Sequence, residues 1–271
     1  MNALDLPLIV EPATLEGLLG TPHLLIVDMT KPATYAQLHI PGAVFLDYGQ
    51  IIAMRKPVMG LLPTPAQLEK CFSDLGIDES VHVVAYDDEG GGKAGRLLWT
   101  LEAMGHPHCS LLNGGLHAWA NEGHPVEQTP NTPNPKPFTA HPSNVPVADA
   151  EYIMQHLETK TLALLDARTP DEYNGNKRYA ERGGHIPGAV NMDWMLALDR
   201  QRNLRLKDAA ELEQMLNTLG ITKEQQVVTY CHTHHRSSLT YVMLKSLGFP
   251  NIKGYPGSWS DWGNRQDTPI T

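Results

Sequence analysis

Short apolar runs alternate with amphipathic stretches along the chain, and the whole alternation occurs twice. In the first half, Leu24–Asp28 is apolar and ends in a carboxylate. Residues 66–75 carry apolar positions at helical spacing, His82–Tyr86 is apolar again, residues 97–104 are helical in pattern, 110–112 apolar, and 116–122 helical. The second half repeats the order with Leu162–Asp166, 209–219, Gln226–Tyr230, 239–247 and 252–255. The apolar runs are short and continuous, as expected of strands buried on both faces between helical layers. The alternation predicts an α/β fold built on mostly parallel sheets flanked by helices.

The repetition extends to individual residues. The string HIPGAV stands at 39–44 and again at 185–190. Leu75-Gly76-Ile77 before the run ending in Tyr86 parallels Leu219-Gly220-Ile221 before the run ending in Tyr230. Gly105-His106-Pro107 leading to Trp119 parallels Gly248-Phe249-Pro250 leading to Trp262. Matched segments in one order, at a period far longer than that of solenoid repeats, indicate a duplicated domain. Residues 128–146 are rich in proline with interspersed Asn, Thr and Ser, a composition that reads as a semi-rigid linker. The expected division is a first domain over 6–127, a linker over 128–146 and a second domain over 147–271.

Composition narrows the function classes. A chain of 271 residues with 41% hydrophobic content holds two domains of ordinary size. The formal net charge of -9 disfavours nucleic acid and anionic membrane surfaces as partners. No apolar stretch reaches transmembrane length, and the first ten residues lack the basic start of a secretory signal. Cys71, Cys109 and Cys231 are few, odd in number and not at metal-ligand spacing, which points to a reducing compartment, the cytoplasm.

Against this acidic background, Cys231 stands out. It ends the apolar run Gln226–Tyr230 and precedes His232, Thr233, His234, His235, Arg236 and Ser237, after which a helical pattern begins. In open parallel sheets, sites lie beyond the carboxyl ends of the strands. There, a helix N-terminus and a fixed guanidinium both lower a thiol pKa and favour the nucleophilic thiolate. Successive backbone N–H groups over 232–237 would form an anion-holding nest. Arg236 has two possible roles, holding an anionic substrate at the pocket mouth or stapling the loop. The histidines read as solvent-facing groups that tune local charge rather than as metal ligands, and no metal or cofactor is called for. Asp166, Arg168 and Glu172 follow a neighbouring strand and are candidates for the pocket rim, with Asp166 and Arg168 read first as an ion pair that shapes it. Asp87 stands opposite Cys231 in the first repeat, with Asp88, Glu89 and Gly90-Gly91-Gly92 in place of the basic loop. A carboxylate cannot serve as a thiolate nucleophile, so the first domain reads as a copy without the reactive cysteine. His185 and Trp262 read as structural, because their twins His39 and Trp119 lie in that copy. Cys71 and Cys109 lack a basic neighbourhood and read as non-catalytic.

HIPGAV after an Asp-ending strand, a cysteine ending a central strand, and the closing Gly257-Ser258-Trp259 together resemble the rhodanese fold. Nearly the whole chain resembles the tandem-domain rhodaneses, the thiosulfate and mercaptopyruvate sulfurtransferases. The Cys-His-Thr-His-His-Arg-Ser loop is most similar to that of the bacterial Azotobacter and pseudomonad type. The resemblance implies two rhodanese-like domains, the second catalytic, with Cys231 as sulfur carrier and residues 232–237 as the loop around its persulfide. It implies a small anionic sulfur donor and cyanide or a thiol as acceptor, including a thioredoxin-like or other sulfur-accepting protein. Thr233 stands where thiosulfate-preferring members carry Lys, and Glu172 where they carry Arg, which leaves mercaptopyruvate as an alternative donor. Cysteine phosphatases and arsenate reductases, which share such folds, place five residues between Cys and Arg. Here four intervene, a smaller ring suited to one sulfur atom. A non-enzymatic sulfur carrier or redox sensor would use the same cysteine and is separated from an enzyme only by turnover.

Overall fold

The computed structural model describes residues 4–159 and 161–271; the first three residues of the N-terminal stretch read above lie outside them. The chain divides into two compact units. Of the described residues, one comprises those within 1–51, 63–143 and 199–206, and the other those within 52–62, 144–198 and 207–271.

The first unit is built on a parallel sheet in the spatial order Ile9–Val10, Cys109–Leu112, His82–Tyr86, Leu24–Asp28, Val44–Phe45. The second has a parallel sheet ordered Ile252–Gly254, Gln226–Tyr230, Leu162–Asp166, Ala189–Asn191. A parallel bridge from Val147 to Gly254 extends its edge where Ile9–Val10 lies in the first sheet. Helices Pro65–Leu75, Gly92–Ala103 and Gly115–Asn121 belong to the first unit, and Ala209–Thr218, Arg236–Ser246 and Ser258–Trp262 to the second. Thr64 caps the first of these helices reciprocally with Gln67, and Gly76 in the left-handed conformation ends it.

The duplicated residues perform duplicated tasks. Tyr86 and Tyr230 end the central strands, and each hydroxyl accepts the N–H of the isoleucine in HIPGAV, at 3.1 Å from Ile40 and 3.3 Å from Ile186. The HIPGAV histidines stack on tyrosines, His39 on Tyr35 and His185 on Tyr173 at 3.7–4.0 Å between centroids. Each also places Nδ1 on that tyrosine's carbonyl. Trp119 and Trp262 are buried, and their indole N–H groups donate to Pro125 and Pro269.

The structure adds two features to the predicted division. The segment 128–143, read as a semi-rigid linker, is tied along the first unit. Lys136 N–H donates to Ser73 O, Phe138 N–H to Ser73 Oγ, His141 N–H to Met104 O and Ser143 N–H to Ala103 O. A proline-rich segment outside any helix or sheet leaves the N–H groups of its non-proline residues available to such helix-end acceptors. The boundaries are also not simple. The hairpin Ala53–Arg55 with Val58–Leu61 belongs to the second unit although it precedes it in sequence, while 199–206 belongs to the first.

Candidate active site

Cys231 directly follows the strand Gln226–Tyr230 and is 1% exposed. The chain bends through residues 232–235 and enters the helix Arg236–Ser246. His234, at φ +52°, supplies the left-handed turn that curls the loop into a cradle. The cradle is held from outside. Trp259 N–H donates to Cys231 O and Ser260 N–H to His232 O, both at 3.0 Å. Ser258 Oγ accepts from Cys231 N–H at 3.2 Å and His234 N–H at 3.1 Å, and donates to Tyr255 O at 2.7 Å. The closing Gly257-Ser258-Trp259 segment thus positions the loop.

Burial pushes the Cys231 thiol up. The Arg236 guanidinium, the Ser237 hydroxyl and N–H and the Thr233 N–H outweigh burial and bring the pKa down to about 7. Ser237 Oγ also lies 2.8 Å from His234 Nδ1. With the Ser237 proton directed to the thiolate, His234 presents Nδ1–H to the Ser237 oxygen. His234 is fully buried, so the expectation of a solvent-facing histidine is corrected: its ring orients a donor to sulfur. His232 and His235 are partly buried against aromatic rings, His232 at 5.6 Å from Tyr179 and His235 at 6.2 Å from Trp194. Burial first, and then the charge of Arg236, hold the His232 pKa below its ordinary value.

Arg236 is committed to Glu172. Its two terminal nitrogens donate to the two carboxylate oxygens at 2.6 and 2.8 Å. Burial opposes ionisation of Glu172, but Arg236 overrides it and holds the carboxyl at about 2. Thr169 adds a reciprocal cap, its N–H and hydroxyl donating to the same carboxylate while its own oxygen accepts Glu172 N–H. Of the two roles considered for Arg236, the geometry favours the staple, with its charge kept beside sulfur.

The expected rim of Asp166, Arg168 and Glu172 is not a rim. Asp166 and Arg168 are 0% and 1% exposed. Arg168 grips Asp166 through Nε and Nη2, donates to Gly184 O, and lies 4.3 Å over the Trp259 ring. A carboxylate at a strand end inside the fold requires such a partner, and this pair supports Trp259, whose N–H holds Cys231. Glu172 is likewise buried, beneath Arg236 rather than facing a ligand.

Of the remaining cysteines, Cys71 is buried and its thiol is pushed up to about 11, by burial and then by Asp74. Sequence reasoning missed Ser260, Tyr179, Trp194 and the hairpin residues Met59 and Gly60. The serine is adjacent to the closing motif and was within reach of it; the others carry no local signal. Among the described residues, no group of three or more His, Cys, Asp or Glu side chains is arranged to hold a metal, and no helix is long and apolar enough to cross a membrane.

The chain matches the rhodanese-like domain family over residues 11–122 and again over 149–265. It is 46% identical over 268 residues to the thiosulfate sulfurtransferase of Pseudomonas aeruginosa, covering 98% of this chain and 97% of that one. It is 45% identical over 266 residues to the thiosulfate sulfurtransferase of Azotobacter vinelandii, with the same coverage. Among solved structures, an anaerobic ergothioneine biosynthesis enzyme from Chlorobium limicola, in complex with trimethyl histidine, superposes with a TM-score of 0.87 at 22% identity. That match covers 97% of this chain and 69% of that one, and it shows the shared fold. Two family domains in one chain, each on its own parallel sheet, place this protein in the rhodanese family as a tandem-domain member.

Proposed function

We propose that this chain is a sulfurtransferase that moves sulfane sulfur from thiosulfate to cyanide or a thiol through a persulfide on Cys231. The observation that carries the reading is a buried cysteine whose pKa is brought to about 7 by a ring of donors and a fixed cation. The thiolate attacks the outer sulfur of thiosulfate. The S–S bond of the donor breaks, sulfite leaves with the electron pair, and Cys231 carries the transferred sulfur. Cyanide then attacks the terminal sulfur, thiocyanate leaves, and the thiolate is restored. The terminal sulfur is anionic, so the N–H groups of Thr233 and Ser237 and the Ser237 hydroxyl that favour the thiolate also suit the persulfide. No general base is required, because the nucleophile is already substantially ionised near neutral pH.

With the Arg236 fork engaged by Glu172 and Thr233 uncharged, the loop carries no ammonium and no second guanidinium for sulfite. This makes 3-mercaptopyruvate the alternative donor to test beside thiosulfate. In the cell, the acceptor class is a thiol, including the cysteine of a thioredoxin-like or sulfur-accepting protein. Three cysteines, few and odd in number, suit a reducing cytoplasm. The first unit, with Asp87 at the position of the nucleophile, is read as the inactive copy.

Steady-state kinetics with thiosulfate and cyanide test the reading. Parallel double-reciprocal lines and loss of turnover in Cys231→Ala are expected. Turnover with mercaptopyruvate alone would change the donor. Labelling of Cys231 with sulfur but no turnover with any acceptor would make the chain a sulfur carrier. Phosphate release from an aryl phosphate would replace the reading altogether.

A further inference from the structure

We propose that the hairpin Ala53–Arg55 with Val58–Leu61 is a positioning element of the Cys231 cradle, acting through Gly60. The proposal rests on Cys231 being the nucleophile of the site.

Three successive carbonyls of the loop, those of Cys231, His232 and Thr233, are each held from outside. The first two accept the N–H groups of Trp259 and Ser260 at 3.0 Å. The third faces Gly60 with no gap between them. A Cβ built on Gly60 would lie 2.8 Å from both the carbonyl carbon and the Cβ of Thr233, and closer still to the carbonyl oxygen. Backbone atoms cannot swing aside as a side chain does. Gly60 also has φ +82°, so glycine is selected there both by conformation and by contact.

The peptide unit is planar and trans, so pinning a carbonyl outward aims the N–H of the same unit inward. The carbonyl of His232, held by Ser260, shares its peptide with the Thr233 N–H, one of the donors that lower the Cys231 pKa. The carbonyl of Thr233, packed on Gly60, shares its peptide with the His234 N–H, which is bonded to Ser258 rather than aimed at sulfur, so Gly60 acts on the adjoining Thr233 N–H by fixing the residue that bears it. The hairpin reaches the first clamp as well. Met59 N–H donates to Ser260 Oγ and Met59 O accepts from it, both at 2.9 Å. One edge of the hairpin therefore supports two consecutive peptides of the cradle, one through Ser260 and one by direct packing.

The test compares Gly60→Ala with Gly188→Ala, by the pH dependence of iodoacetamide alkylation read at the Cys231 peptide by mass spectrometry. Gly188, in HIPGAV, has φ +79° and nothing within 4 Å of an added Cβ, so it carries the same backbone strain without the contact. Gly60→Ala is expected to raise the midpoint by about one pH unit, equivalent to a tenfold loss of thiolate at fixed pH below the midpoint. It is expected to lower kcat/KM with thiosulfate and with mercaptopyruvate about equally. Gly188→Ala is expected to leave the midpoint in place. An unmoved midpoint in Gly60→Ala, or an equal shift in Gly188→Ala, overturns the proposal. If Gly60→Ala does not fold, Ser260→Ala, which keeps the backbone clamp on His232 O but cuts its hydroxyl tie to Met59, decides whether the hairpin positions the cradle: a raised midpoint supports the proposal and an unchanged one refutes it. Alkylation requires no sulfur transfer, so a shifted midpoint in a protein without turnover would count against the proposed function and not against the clamp.

Discussion

The loop after Tyr86 and the loop after Tyr230 are the same anion cradle with different anions attached. In the first unit the Asp87 carboxylate fills it. One oxygen accepts from Glu89 N–H at 3.0 Å and Gly91 N–H at 2.8 Å; the other accepts from Lys93 N–H at 2.9 Å and Ala94 N–H at 3.0 Å. In the second unit, the N–H groups of Thr233 and Ser237 favour the Cys231 thiolate. Aligned on Asp87 and Cys231, Thr233 corresponds to Glu89 and Ser237 to Lys93. The backbone thus makes a general binder of negative charge, and the covalently attached group decides whether it is a structural plug or a nucleophile. The outer supports also correspond: Leu116 N–H donates to Asp87 O at 2.9 Å where Trp259 N–H holds Cys231 O. They differ in how the turn is made. Gly90 and Gly91 take φ of 102° and 99° in the filled cradle, whereas His234 takes +52° in the reactive one, and its ring there meets Ser237. The Cys231 cradle makes its turn with a residue less suited to that backbone than glycine, and the ring of that residue meets the Ser237 hydroxyl.

If this comparison is right, the largest loss after that of the thiol itself follows removal of the fixed cation. Arg236→Gln is expected to lower kcat/KM about 100-fold, a typical cost of deleting one preorganised electrostatic group. It should also move the rising limb of the pH–rate profile. In the wild type, activity is expected to rise with pH through about 7 as the thiol ionises and then to level. Without Arg236 that limb lies higher. A limb that stays in place would show that the backbone alone sets the thiol.

Emptying the other cradle tests stability. Asp87→Gly leaves buried N–H groups without an acceptor and is expected to cost about 3 kcal/mol in chemical denaturation. Formate should raise the Tm of this variant and leave the wild type unchanged, because only the variant has a vacant anion position. No rescue by formate or acetate would refute the equivalence of the two loops.

A smaller effect of opposite sign is expected from Glu172→Gln. Arg236 then keeps its charge but loses its ion-pair partner, so the alkylation midpoint of Cys231 falls below about 7. In the same variant kcat/KM drops about tenfold through lost positioning. Movement of the midpoint in the same direction as in Arg236→Gln would mean that Glu172 acts only by holding the loop.

Much of this arrangement was legible in the chain. Leu24–Asp28, His82–Tyr86, Leu162–Asp166 and Gln226–Tyr230 coincide with the apolar runs because parallel strands between helices are buried on both faces. Val44–Phe45 and Ala189–Asn191 were hidden, since both begin inside or at the end of HIPGAV and are too short to show a period. Cys231 and its loop stood out by charge contrast. Glu172 was placed by alignment alone, although Thr169-Pro170-Asp171-Glu172 is a capping-box signature that marks a helix start with an inward carboxylate. Gly60 was not legible. A lone glycine in a short hairpin reads as an ordinary turn, and its meaning comes from Thr233, to which nothing local in the sequence connects it.

The central claim is that Cys231 carries the sulfur and that Asp87, in an equivalent cradle, does not. Intact mass of the wild type and of Cys231→Ala, after thiosulfate and again after cyanide, tests it most directly. The account predicts a gain of one sulfur atom, about 32 Da, in the wild type only, erased by cyanide as thiocyanate forms. A gain in Cys231→Ala, or none in the wild type with thiosulfate or mercaptopyruvate, would contradict it.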